Sequence, residues 1–178
     1  MLTTILTIIV VAIALVLIVA ARQPDEFRVS RSTVLPAAAS VVFPHVNELR
    51  KWETWSPWAR LDPDAKSTFE GPAAGTGAVM RWAGNKNVGE GSMTITDSRA
   101  NELVRFRLEF LKPFKATNTA EFEFRPQGDQ THVTWSMYGE NNFMSKVISL
   151  FINCEKMVGG QFEQGFANLK EVVEKAKG

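Results

Sequence analysis

Chemistry in this sequence would have to come from few groups. A nucleophilic triad needs Ser or Cys, a histidine and a carboxylate, and the 178 residues supply just His45 and His132 as bases. His132 falls on the polar phase of an alternating segment and reads as a solvated strand residue. His45 follows Pro44 and reads as a structural side chain, with ligand contact as the alternative. Their separation matches no zinc-ligand spacing, so no metal site is expected. Cys154 is the one cysteine, which excludes an internal disulfide and a thiolate cluster. It lies on an apolar helical stripe and is expected as a small buried hydrophobe, because Lys156 sits about 200° away around that helix and would not stabilise a thiolate.

The carboxylates are equally reticent. Glu90 between Gly89 and Gly91, and Glu70 before Gly71-Pro72, could be presented by tight backbone as acid or base, but turn chemistry is the expected role. Arg81 is expected to point away from Met80 and Trp82. Gly71, Gly75 and Gly77 lack the following helix and the Lys-Ser/Thr of a phosphate loop. No catalytic constellation and no cofactor are therefore expected. Twenty Lys and Arg against nineteen Asp and Glu offer no basic field for nucleic acid.

The candidates that remain are apolar. They are Trp55, Trp58, Met80, Trp82, Met93, Phe106 and Phe110 in the first two thirds of the chain. Phe122, Trp135, Met137, Phe151, Phe162 and Phe166 follow. Each alone reads as core, yet together Met and Trp make an adaptable lining for a hydrophobic guest. A ligand hiding roughly 300 Å² of apolar surface would gain about 7 kcal/mol before the costs of binding.

The elements that must position these residues follow from periodicity. Phe27 to Leu35 reads as a strand ended by Pro36. Ala37 to Val46 reads as a short helix limited by Pro44, with a second helical piece around Glu48 to Trp52. Trp52 to Trp58 packs three indoles into seven residues and, with Pro57 forbidding a continuing helix, is expected as an aromatic loop. Strands are expected near Ser67 to Glu70, Ala78 to Trp82, and through Met93 and Ile95. Alternation is clearest where Val104, Phe106, Leu108 and Phe110 oppose Arg105, Arg107 and Glu109. Ala120, Phe122 and Phe124 repeat the pattern, as do Val133, Trp135 and Met137. Short connections imply an antiparallel meander. From Phe143 the period becomes 3.6, predicting one long amphipathic helix with a bend or a close packing approach at Gly159-Gly160.

Ahead of all this, Ile5 to Ala21 carries no charge and Thr7 as its one polar residue. With Met1 to Thr4 it reaches about 30 Å, the thickness of a hydrocarbon core. A single-pass anchor over residues 1–22 is expected, with residues 23–178 as one domain. Val19-Ala20-Ala21 also suits a signal-peptidase site, which would leave a secreted or periplasmic domain, but the run exceeds a usual signal core and no Lys or Arg precedes it. Arg22, Arg28 and Arg31 favour a cytoplasmic domain while Asp25 and Glu26 interrupt them, so charge fixes no side.

The order of elements makes an α+β protein whose C-terminal helix meets the apolar face of an antiparallel sheet. Leu35-Pro36-Ala37 entering a Val-Val-Phe helix, Trp52 to Trp58, Glu70-Gly71-Pro72, Gly89-Glu90-Gly91 and Thr134-Trp135-Ser136-Met137 together resemble the START-related, polyketide-cyclase-like superfamily. In relatives the Glu155-Lys156-Met157 position often reads Asp-Lys-Met. The resemblance implies a helix-grip fold, a curved sheet wrapped around a long C-terminal helix. It also implies a hydrophobic cavity between sheet and helix for lipids, polyketides or quinone-like molecules. A membrane-tethered binding or transport module is the first expectation. Alternatives are a cyclase, dehydratase or hydrolase with Glu90, Arg81 or Ser136 in the cavity, and a protein-interaction module using the Trp52 to Trp58 segment.

Overall fold

The computed structural model describes residues 1–151 and 153–176. The chain begins with α1 (Leu2–Ala21), twenty residues whose side chains point almost entirely outward. A seven-stranded antiparallel sheet follows, built from β1 (Glu26–Leu35), β2 (Lys66–Glu70), β3 (Val79–Ala83), β4 (Glu90–Arg99), β5 (Leu103–Lys112), β6 (Ala116–Gln127) and β7 (Gln130–Glu140). Its order is β1-β7-β6-β5-β4-β3-β2, so β2 to β7 form the expected meander and β1 closes the far side against β7. Between β1 and β2 lie α2 (Ala39–Asn47), a 3₁₀ turn at Leu49–Lys51, α3 (Trp52–Trp55) and a second 3₁₀ turn at Pro57–Arg60. The chain ends in α4 (Phe143–Ser149) and α5 (Cys154–Lys175). This is the expected helix-grip fold.

Three local expectations are corrected. The tryptophan segment is helical rather than a loop, because Pro57 occupies the first position of a new turn, where its missing N–H costs nothing. The helix expected from Phe143 is two helices. The apolar period runs straight across the break, while Asn142 and Asn153 each cap a new start by accepting from the backbone N–H three residues on. Cys154, at the first position of α5, is exposed rather than buried.

Gly159 and Gly160 continue α5 without a break, and Gly159 makes the close approach. A Cβ there would strike the Arg31 guanidinium, which reaches from β1 to Glu155 at 2.8 Å and Glu163 at 2.7 Å. Gly165 does the same for Trp135, whose ring would lie 2.8 Å from an added Cβ. Small residues at these two points let α5 settle onto β1 and β7. Its C-terminal half then buries Phe162, Phe166, Leu169 and Val173.

A candidate ligand groove on the inner sheet face

Register places the inward side chains in rows across the sheet. Val104, Phe122, Trp135 and Arg31 are successive partners in one row, and Ile95, Phe106, Ala120, Met137 and Val29 in the next. A third row runs Phe69, Met80, Met93, Leu108, Asn118. A fourth joins Trp82, Gly91 and Phe110. The first two rows lie toward α5, and the last two toward the end of the sheet where α1 enters.

Under α5 the interior is packed with aromatic rings. Trp135 stacks on Phe162 with centroids 4.0 Å apart and planes 11° from parallel, and on Phe122 at 4.6 Å. Trp52 and Trp55 meet at 4.5 Å and present edges to Phe122 and Trp135. Their indole N–H groups donate to the Val46 and His45 carbonyls, each at 2.9 Å, and Asn168 Nδ2 donates to the Trp55 carbonyl. Polar atoms are thus satisfied inside the aromatic cluster, as burial requires. Of the candidate residues, Trp55, Met93, Phe106, Phe122, Trp135, Phe162 and Phe166 belong to this core. The expected cavity between sheet and helix is filled here by aromatic rings, and in the Trp52 to Trp58 segment Trp52 and Trp55 are buried while Trp58 is half-buried.

Met80, Trp82, Phe110 and Met137 are half-buried and border the uncovered part of the inner face, while Trp58, also half-buried, packs on Trp135 and Phe162 beside α5. Trp82 lies over Gly91, with an added Cβ only 2.8 Å from its Cη2, and meets Phe110 edge-on at 5.9 Å. Phe27, Phe69 and Leu108 extend the same apolar shelf, and Asn118 contributes a carboxamide to its floor, against Gly139. Phe151 lies elsewhere, 73% exposed after α4. Leu108, Asn118 and Arg31 join the inner face in addition to the candidate residues, and alternation signals each: 108 shares the phase of 106 and 110, 118 that of 120 and 122, and 31 that of 29.

The polar groups offered for an enzyme sit on the opposite face. Glu90 pairs with Lys112 at 2.7 Å, Arg81 with Glu70 at 2.8 Å, and the Ser136 hydroxyl with that of Ser30 at 2.9 Å. Arg81 and Glu70 hold one another charged, by hydrogen bond first and charge second, so the Glu70 carboxyl lies below its ordinary range. Glu121, also on the outer face, is buried beneath Arg28 at 2.9 Å, Arg105 at 3.2 Å and the Tyr138 hydroxyl at 3.2 Å. Burial, then the Glu121 charge, raises the Tyr138 phenol. The outer face also carries a concavity of about 530 Å³ between Arg105, Arg107, Thr117, Thr119 and Tyr138. On the inner side, a smaller one of about 170 Å³ lies beside Leu49, Phe69 and Pro72. Among the described residues no cluster of three or more His, Cys, Asp or Glu is arranged to hold a metal ion.

The inner shelf, the gripping helix and the sheet order agree with comparison to known proteins. A family model described as polyketide cyclase / dehydrase and lipid transport matches residues 26–174. The chain belongs to this family. Membership in the polyketide cyclase/dehydrase and lipid transport family supports a hydrophobic-ligand-binding or cyclase-type role. Among solved structures, protein MLL2253 from Mesorhizobium loti is similar with a TM-score of 0.62 at 10% identity, over 84% of this chain and 98% of that one. Protein CV1439 from Chromobacterium violaceum is similar with a TM-score of 0.59 at 15% identity, over 85% and 99%. CalU16 from Micromonospora echinospora gives 0.54 at 12% identity, over 84% and 83%. These likenesses are in fold. No curated protein matches the chain significantly.

Proposed function

We propose that the protein is a membrane-tethered carrier or binding module for a hydrophobic small molecule of lipid, polyketide or quinone-like class. Residues 1–22 would form the anchor and residues 23–178 the binding domain. The observation that carries the reading is the inner-face shelf, where Met80, Trp82, Leu108, Phe110 and Met137 remain half-exposed beside a core that is otherwise closed. An apolar surface of that kind, with Asn118 as a single polar handle, suits an apolar guest with one polar group. Support for the anchor comes from the foot of α1. Ala20 is fully buried and α1 packs on α4, while Lys146 of α4 pairs with Asp25 in the joint that follows α1, so the foot of α1 rests on the domain and the rest of the helix stays uncovered.

Native mass spectrometry of the full chain after mild detergent extraction tests the reading. A co-purifying hydrophobic guest is expected. Trp82→Ala with Phe110→Ala is expected to weaken its binding about tenfold or more, since truncating aromatic anchors typically costs more than 1 kcal/mol each. Loss of nothing on this double substitution, or no guest and no uptake of a long-chain fatty acid or quinone probe, would sink it.

A further inference from the structure

The two ends of the sheet are chemically unlike. At one end, the β4–β5 turn reads Arg99-Ala100-Asn101-Glu102 and the β6–β7 turn Gln127-Gly128-Asp129-Gln130, both free of large apolar side chains. At the other, β1 begins opposite the end of β7, Glu26 against Glu140, and β6 begins beside that same end, Asn118 against Gly139. The β5–β6 hairpin tip therefore sits on the edge where α1 enters and α4 leaves. That tip reads Leu111-Lys112-Pro113-Phe114-Lys115, with Leu111 54% and Phe114 68% exposed. On α4 and just after it, Phe143, Met144 and Phe151 are 51%, 62% and 73% exposed. Large apolar side chains left uncovered in a group mark a contact surface.

What covers them is indicated by α1. Its C-terminal end packs on α4, so a bilayer entered by α1 begins at this end of the domain. We infer that the β5–β6 hairpin tip and α4 form a second, interfacial contact with the bilayer, resting on the reading of α1 as an anchor. Phe114 beside Lys115 matches that setting, with an aromatic ring in the interface and an ammonium group reaching back to the headgroups, while Lys112 is held by Glu90. The contact is shallow, about 5–10 Å deep, as for other interfacial elements. Its consequence lies one residue away. Phe110 of the shelf directly precedes Leu111, so the groove opens onto the bilayer surface and a guest moves between lipid and Trp82 without crossing bulk water.

The test uses the full chain with Cys154→Ala and single labelling sites at Phe114→Cys, Met144→Cys, Asp129→Cys or Val11→Cys. Each carries an environment-sensitive nitrobenzoxadiazole and is reconstituted in phosphatidylcholine vesicles doped with doxyl-labelled lipid. Labels at 114 and 144 are expected to shift to the blue and to lose most of their emission to shallow doxyl groups. The label at 129 should be unaffected, and that at 11 quenched by deep ones. If 114 and 144 behave like 129 while 11 is quenched, the interfacial contact is overturned and the anchor stands. If 11 is also unquenched, both fall.

Discussion

His45 lies on α2 with its Nδ1 enclosed and without a hydrogen-bond partner, while its backbone carbonyl holds the Trp55 indole. Burial first, and then the Lys51 charge, pushes its pKa below the ordinary histidine value, against a smaller opposing pull from Glu48. The unfolded chain therefore takes up a proton at about pH 6.5 that the folded chain resists. Stability is full above that pH and falls as pH drops below it, until the folded histidine titrates in turn. Equilibrium unfolding between about pH 7 and 5.5 is expected to show this slope, and His45→Gln to flatten it. An unchanged slope in the variant would assign the effect to another group. The ordinary carboxylate range lies lower, so Asp25 and Glu70, whose pKa values are lowered further by Lys146 and Arg81, do not contribute in that window.

The glycines of α5 separate three physical situations within one helix. At Gly160 an added methyl meets nothing within 4 Å, so Gly160→Ala should stabilise by up to about 1 kcal/mol through helix propensity alone. At Gly159 it meets the mobile end of Arg31, whose two ion pairs involve exposed glutamates worth about 0–1 kcal/mol each. Gain and loss nearly cancel there. At Gly165 it meets Trp135 and the Pro57 ring, which the core holds in place, and overpacking of about 1–3 kcal/mol should outweigh the propensity gain. Urea midpoints followed by helical circular dichroism should rank the variants 160, 159, 165 from most to least stable, and a destabilised Gly160→Ala would contradict the account. The strands were legible because a period of two, filled with Phe, Val and Trp, admits one inward phase. The break between α4 and α5 was not, because hydrophobic period is blind to a change of axis and the asparagine caps carry the signal instead. Nor could depth be read: Trp135 and Trp82 share a face and a chemistry, and α5 covers one while leaving the other at the mouth.

For the whole molecule, a helix of twenty residues spans about 30 Å. The anchored reading predicts that the full chain stays with the membrane fraction after an alkaline carbonate wash, and its release to the supernatant would refute the anchor. Clustering of the aromatic residues has a further, optical consequence. Trp52, Trp55, Trp58 and Trp135 are linked by contacts between 4.5 and 5.9 Å, close enough for their transitions to couple. Trp82 pairs instead with Phe110 at the shelf. The protein thus carries a built-in spectroscopic contrast: exciton coupling within the buried indole cluster, which reports whether the core is intact, and a separate indole, Trp82, set apart at the edge of that core.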